Sequence, residues 1–253
     1  AQILRLEENF NKNPRATGLR DIAARMRQQL SQGPLPLTFL GQLSLRELHT
    51  AAPLQGWPSD GTLVFFYDPS QNCGYDPEAR GHCRVLYIPE HEELVPVAAP
   101  ASLPDEVKFP TRGLRFTQEW TLPPRLAFDG GDLSIWGDED YGTLLRQLMS
   151  ASSEREPVHR CGGHPQEIQG DMRLECQLVT NGLYCGDPSG YKDPRRAALE
   201  SGAADWQLLL QIDSDEERLG WMWSDTGRVY FWIRRQDLAS TDFDAAWAVL
   251  QCY

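Results

Sequence analysis

The sequence predicts an α+β fold, mainly antiparallel sheet, in which a strand–loop–strand unit occurs twice and is flanked by helices. Three observations predict it. The first is a repeat. The run Leu37-Thr38-Phe39-Leu40-Gly41-Gln42-Leu43 is followed by Trp57, Gly61 and the apolar run Thr62–Tyr67; Gln207-Leu208-Leu209-Leu210-Gln211-Ile212 is followed by Trp223, Gly227 and Arg228–Ile233. Each copy has an apolar run ending near Gln, a variable loop, a Trp four residues before a Gly, and a second apolar run. The second observation is that irregular loops, not regular helical crossovers, separate the strand-like runs, which favours antiparallel pairing. The third is composition. With 253 residues, 41% hydrophobic and 10% aromatic, the chain has material for a packed core.

The elements follow in order. Leu19, Ile22, Ala23, Met26 and Leu30 recur at three- and four-residue steps and predict an amphipathic helix. Residues 1–32 are thus a helical segment ahead of a domain over 33–253. The breaker cluster Ser31–Pro36 leads into a strand at Leu37–Leu43. Ser44, with Glu47 three residues on, fits a capping box for a turn at Leu45–His49. Strands are expected at Thr62–Tyr67 and Cys83–Ile88. The acidic, proline-bearing stretch Pro89–Pro110 reads as a connector between two related halves, about 33–95 and 160–253. Alternation of Leu114, Phe116, Trp120 and Leu122 predicts a strand. Asp140–Met149 reads as a helix with Tyr141, Leu144, Leu145 and Leu148 on one face. Periodicity leaves Met172–Val179 open between strand and helix, and Ala197–Ala203 between helix and loop. Trp206–Ile212 and Arg228–Ile233 are strands. Asp244–Leu250 reads as a closing helical turn with Trp247 and Leu250 inward.

Charge and motifs narrow the function. The formal charge is −12; nucleic-acid binding, which depends on Lys and Arg at phosphates, is not expected. An acidic surface instead steers a basic partner. No apolar run approaches the ~20 residues of a membrane span, and no signal-peptide pattern is seen, so no membrane association and a cytoplasmic location are expected. Six cysteines beside an ample core read as reduced thiols.

His159-Arg160-Cys161-Gly162-Gly163-His164 has zinc-type ligands but no further pair at compatible spacing, and reads better as a glycine turn. Cys161 beside two histidines is a weak case for a thiolate nucleophile. The acidic group Asp213, Asp215, Glu216 and Glu217 lacks the calcium-loop pattern and reads as helix capping. Phosphate-binding and nucleophile-elbow motifs do not occur. No cofactor or metal is expected and no catalytic set assembles.

The chain resembles the YwqG-like family of bacterial proteins. The resemblance is carried by Pro36–Leu43, Asp60–Tyr67, Gly74-Tyr75-Asp76-Pro77 and Gly162-Gly163-His164-Pro165. It continues through Leu208–Asp213, Asp225-Thr226-Gly227, Tyr230-Phe231, Asp237-Leu238-Ala239 and Asp242-Phe243, covering roughly residues 30 to 253. It implies an α+β fold with internal duplication, no established activity, and accessory, immunity-type binding. Similar proteins carry a Gly-Gly-x-Pro segment before the first apolar run as well; here Gln32-Gly33-Pro34 leads almost directly into Leu37.

The resulting expectation is a non-enzymatic protein-binding module of the cytosol, an immunity-type protein that occludes a basic partner such as a toxin. The alternative is an enzyme or small-ligand binder using a cleft between the halves. The candidate binding residues are His159, His164, Gln211, Asp213, Asp225, Trp57 and Trp223.

Overall fold

Two antiparallel meanders pack face to face, and the larger is backed by helix. A computed structural model describes residues 35–128, 131–134, 139–149 and 157–253; the amphipathic helix expected at Leu19–Leu30 lies outside them. The first sheet has the order β1-β2-β3, with β1 at Thr38–Ser44, β2 at Thr62–Tyr67 and β3 at Cys83–Ile88. The second has the order β6-β7-β8-β9, with β6 at Arg160–Cys161, β7 at Trp206–Asp213, β8 at Arg228–Arg234 and β9 at Trp247–Gln251. Between them in sequence lie a small hairpin, β4 (Arg125–Phe128) and β5 (Gly131–Ser134), and helix α2 (Glu139–Met149). This is an α+β fold.

Alternation decides what each sheet buries. Leu63, Phe65 and Tyr67 of β2 meet Val229, Phe231 and Ile233 of β8 in one core, where the Phe65 and Phe231 rings stand edge to face at 5.2 Å. The opposite face of the second sheet (Leu208, Tyr230, Trp232, Trp247, Val249) forms a second core with Met172, Cys176 and Leu178 of helix α3, Met172–Val179. Asp171 settles the open choice there in favour of helix: its carboxylate accepts the Arg173 N–H at 2.9 Å as an N-cap. Ser44 likewise caps α1, Leu45–Ala51, through the Glu47 N–H.

The two meanders have matching detail. β1 pairs with β2 with an irregularity between Phe39 and Gly41, and β7 with β8 with one between Leu208 and Leu210. The residue bulged out is Leu40 in one and Leu209 in the other, each two before the Gln. Gly61 and Gly227 each accept, through their carbonyls, an N–H from the residue three beyond that Gln (Leu45 at 3.0 Å, Ser214 at 3.2 Å).

Two expected elements are corrected. Asp244–Leu250 is not a helical turn: a short 3₁₀ turn at Phe243–Ala245 precedes strand β9. Trp247 and Leu250 are both buried, but in different cores on opposite faces. Every residue of β9 is buried because both faces of this sheet are covered, which erases the alternation that marks a half-exposed strand. Residues 114–122 form no strand; Leu114 and Trp120 are exposed and the backbone joins no sheet. On α2, Tyr141 is buried but Leu144 is 44% exposed, so the two do not share a buried face.

Candidate functional site

The buried polar side chains of the second sheet converge on the backbone of residues 158–170. Gln211, fully buried, donates from Nε2 to the Val158 carbonyl at 2.9 Å and accepts the Gln166 N–H at 2.8 Å. Two residues along the same face of β7, Asp213 accepts the Val158 N–H at 3.0 Å and is ion-paired with Arg228 Nε at 3.0 Å. Tyr230 donates its hydroxyl to the Gln166 carbonyl at 2.6 Å. Gln251 Oε1 accepts both the Ile168 and Gln169 N–H groups at 3.0 Å, while its Nε2 donates to the Gly170 carbonyl at 2.9 Å. Buried polar groups must be paired, and these pair with a loop that has no ladder of its own beyond β6.

The loop turns at Gly162 and Gly163, both at left-handed φ (+65° and +66°). A Cβ on Gly163 would also sit 2.6 Å from Thr121 Oγ1. That contact belongs to a strap, residues 89–124, which crosses the molecule with only a 3₁₀ turn at Asp105–Val107. Leu103 is buried, Phe109 stands edge-on to Trp221 and Trp223 at 5.9 and 6.1 Å, and Phe116 packs on the main core. Near its end the strap is pinned twice. Glu119 pairs with Arg160, a guanidinium that also donates to the His164 carbonyl at 3.1 Å, and Thr121 Oγ1 accepts the His164 N–H at 3.0 Å. Trp120, between those two pins, is 82% exposed. Gly163→Ala is expected to cost about 1–2 kcal/mol from its backbone conformation alone and to speed amide exchange at 119–121; unchanged exchange there would show that the turn does not hold the strap.

Only some of the sequence-predicted site residues come together. His159, Asp213 and Trp223 share one cluster: His159 Nδ1 accepts the Asp213 N–H at 3.2 Å, the imidazole stands edge-on to Trp221 at 5.5 Å, and Trp223 Nε1 donates to the Asp213 carbonyl at 3.2 Å. Burial lowers the His159 pKa although Asp213 and Asp215 oppose it, so the ring is neutral near pH 7. The carboxylates of Asp213 and Asp215 are occupied by backbone N–H groups and by Arg228 and Arg218. His164 sits across the glycine turn and serves through its backbone; burial, then Arg173 and Arg160, lower its pKa. Gln211 is a loop anchor. Trp57 and Trp223 are core side chains, with the Trp57 indole beside Gly162. Asp225 is exposed and its carbonyl takes the Tyr253 N–H. Burial pushes the Cys161 thiol up to about 12, leaving it a packed thiol. Glu167 is pushed up to about 8 by burial and by Asp171, with Arg173 opposing. Among the described residues, no group of three or more His, Cys, Asp or Glu side chains is placed to hold a metal.

A second polar pair escaped the sequence reading. His82 Nδ1 meets Asp68 Oδ2 at the base of the loop between β2 and β3, where the Asp68 N–H also donates to the His82 carbonyl at 2.8 Å. Beside it lies a recess of about 10 Å³ lined by Tyr67, Asn72, Cys83 and Trp247, space for roughly one water and not for a substrate. The Asp68 hydrogen bond raises the His82 pKa; burial opposes, but bonds from His82 and Ser70 hold Asp68 below its usual range. The histidine's contribution is therefore full below its unfolded pKa of about 6.5 and is lost as pH rises through the higher folded value. Asp68's contribution is lost at the acid end. The thermal midpoint of the wild type should exceed that of His82→Gln near pH 6, by a margin that shrinks toward pH 9; a margin constant with pH would mean that the pair does not titrate with folding.

A family model described as a domain of unknown function (DUF1963) matches residues 15–252. No curated protein matches the chain.

Proposed function

The chain belongs to the DUF1963 family, and we propose that it is a protein-binding module whose recognition surface is the 89–124 strap, with Trp120 as its anchor. The observation that carries this reading is Trp120 itself, 82% exposed between two pinned neighbours. A large indole held in water by its flanking residues has already lost much of the freedom that binding would otherwise remove, and Trp is enriched among residues that dominate interface energy. Leu94, Val95, Val97 and Leu114, also exposed, lie on the same strap. Thus five of the nine exposed large apolar side chains among the described residues fall on one segment, an uneven distribution of the kind that marks interaction surfaces.

The formal charge of −12, with exposed Glu90, Glu92 and Glu93 on the strap, favours a basic partner. An immunity-type role, in which the strap covers a toxin's working surface, is the specific form of this proposal. All six cysteines are free thiols, which supports a cytosolic setting. No helix among the described residues is long and apolar enough to cross a membrane. We also read the two meanders, within halves at about 33–95 and 160–253, as copies of one unit, a reading supported by the shared bulge position and the matching glycine contacts. Finer placement in the YwqG-like family belongs with the same proposal.

Affinity recovery from the native host tests it. The wild-type chain should recover a stoichiometric basic protein that Trp120→Ala loses and Asp225→Ala retains. Recovery of no stoichiometric partner, or equal recovery by Trp120→Ala, would overturn it.

A further inference from the structure

The two sheets differ on their outward faces, and the difference points to a missing layer. Register places Phe39, Gln42, Val64, Phe66, Leu86 and Ile88 of the first sheet where the second has Leu208, Gln211, Tyr230, Trp232, Val249 and Gln251. The second set is buried throughout, beneath α3 and the 158–170 loop. In the first set Phe39 is 47% exposed, Gln42 is exposed, Phe66, Leu86 and Ile88 are half-buried, and Val64 alone is buried. None of the first set belongs to either core.

We propose that this face is an intramolecular docking surface for residues 19–30 of the same chain. Those residues lie outside the described part of the structure, and their sequence supplies the matching half: Leu19, Ile22, Ala23, Met26 and Leu30 recur at helical spacing and need an apolar partner. The second sheet supplies the precedent, since its outward face is covered by chain that precedes its long strand β7, namely the loop and α3. Residues 19–30 hold the corresponding place ahead of β1. The connector 31–37 can span up to about 24 Å when extended, while three strands are only about 10 Å across, so the segment can fold back over the sheet. Gln42 then stands where Gln211 stands, offering its amide to the backbone of the covering chain. The face is then satisfied from within the chain.

Photo-crosslinking in the full chain tests this. A benzophenone amino acid is placed at position 66 in one variant and at position 39 in another, aromatic for aromatic, so that one reports if the other fails to fold. Mass spectrometry then maps the captured peptide. Capture of residues within 19–30 of the same chain is expected from at least one position, with the yield lost when Ile22→Asp and Met26→Asp are combined. Capture of a second copy or of other segments only, or no capture from any folded variant, would overturn the proposal.

Discussion

Gln211→Leu should lower stability by about 2–4 kcal/mol, because it removes the buried hydrogen bonds that Gln211 makes to the Gln166 N–H and the Val158 carbonyl. The substitution keeps the apolar bulk of the side chain, so little of the loss comes from a cavity. The damage should also be local. Residues 158–170 carry the glycine turn that receives the strap, and freeing them should raise amide exchange there and at 119–121 while the inter-sheet core around Phe65 and Phe231 stays protected. Urea unfolding with exchange mass spectrometry reads both effects. If Gln211→Leu loses less than about 1 kcal/mol, the value of a single ordinary hydrogen bond, the buried amide is not what holds the loop.

Trp120→Ala should do the reverse, leaving stability alone and removing binding. The side chain is 82% exposed, so its truncation forfeits little burial on folding. At an interface the same indole would be desolvated, and anchors of this type contribute about 2–4 kcal/mol, roughly thirty- to a thousandfold in Kd. A thermal midpoint equal to the wild type's, beside a Kd weakened at least thirtyfold, separates recognition from support. Arg160→Met is the informative companion. It removes the guanidinium that holds Glu119 and the His164 carbonyl, so it should weaken binding by loosening the strap while leaving Trp120 itself in place.

Apolar runs bounded by turn residues revealed the strands that pack one sheet against the other. Leu63–Tyr67 of β2 and the runs of β7 and β8 are apolar nearly throughout, and in β7 and β8 both faces are buried. That signal failed elsewhere. β9 is buried on both faces and carries no alternation. Residues 114–122 do alternate, yet with no neighbouring strand to pair with they wrap the surface as part of the strap. Leu144 lies at the right spacing on α2 and still faces water.

The site was legible in part. His159, Asp213 and Trp223 do meet, but as the framework of a turn. Gln211 stood out because it recurred, and its role became visible only when the loop it anchors was seen. Trp120 and Arg160 could not be singled out in advance: Arg160 and Glu119 are 41 residues apart, and the pinning that keeps the indole in water depends on that distant contact. The Asp68–His82 pair was hidden for the same reason, since loop closure brings it together.

The most direct measurement is calorimetric titration of the recovered partner into the wild type, Trp120→Ala and Asp225→Ala at matched thermal stability. Loss of affinity of at least thirtyfold for Trp120→Ala, with Asp225→Ala unchanged, is the predicted result. Equal affinity for all three proteins would contradict recognition through the strap.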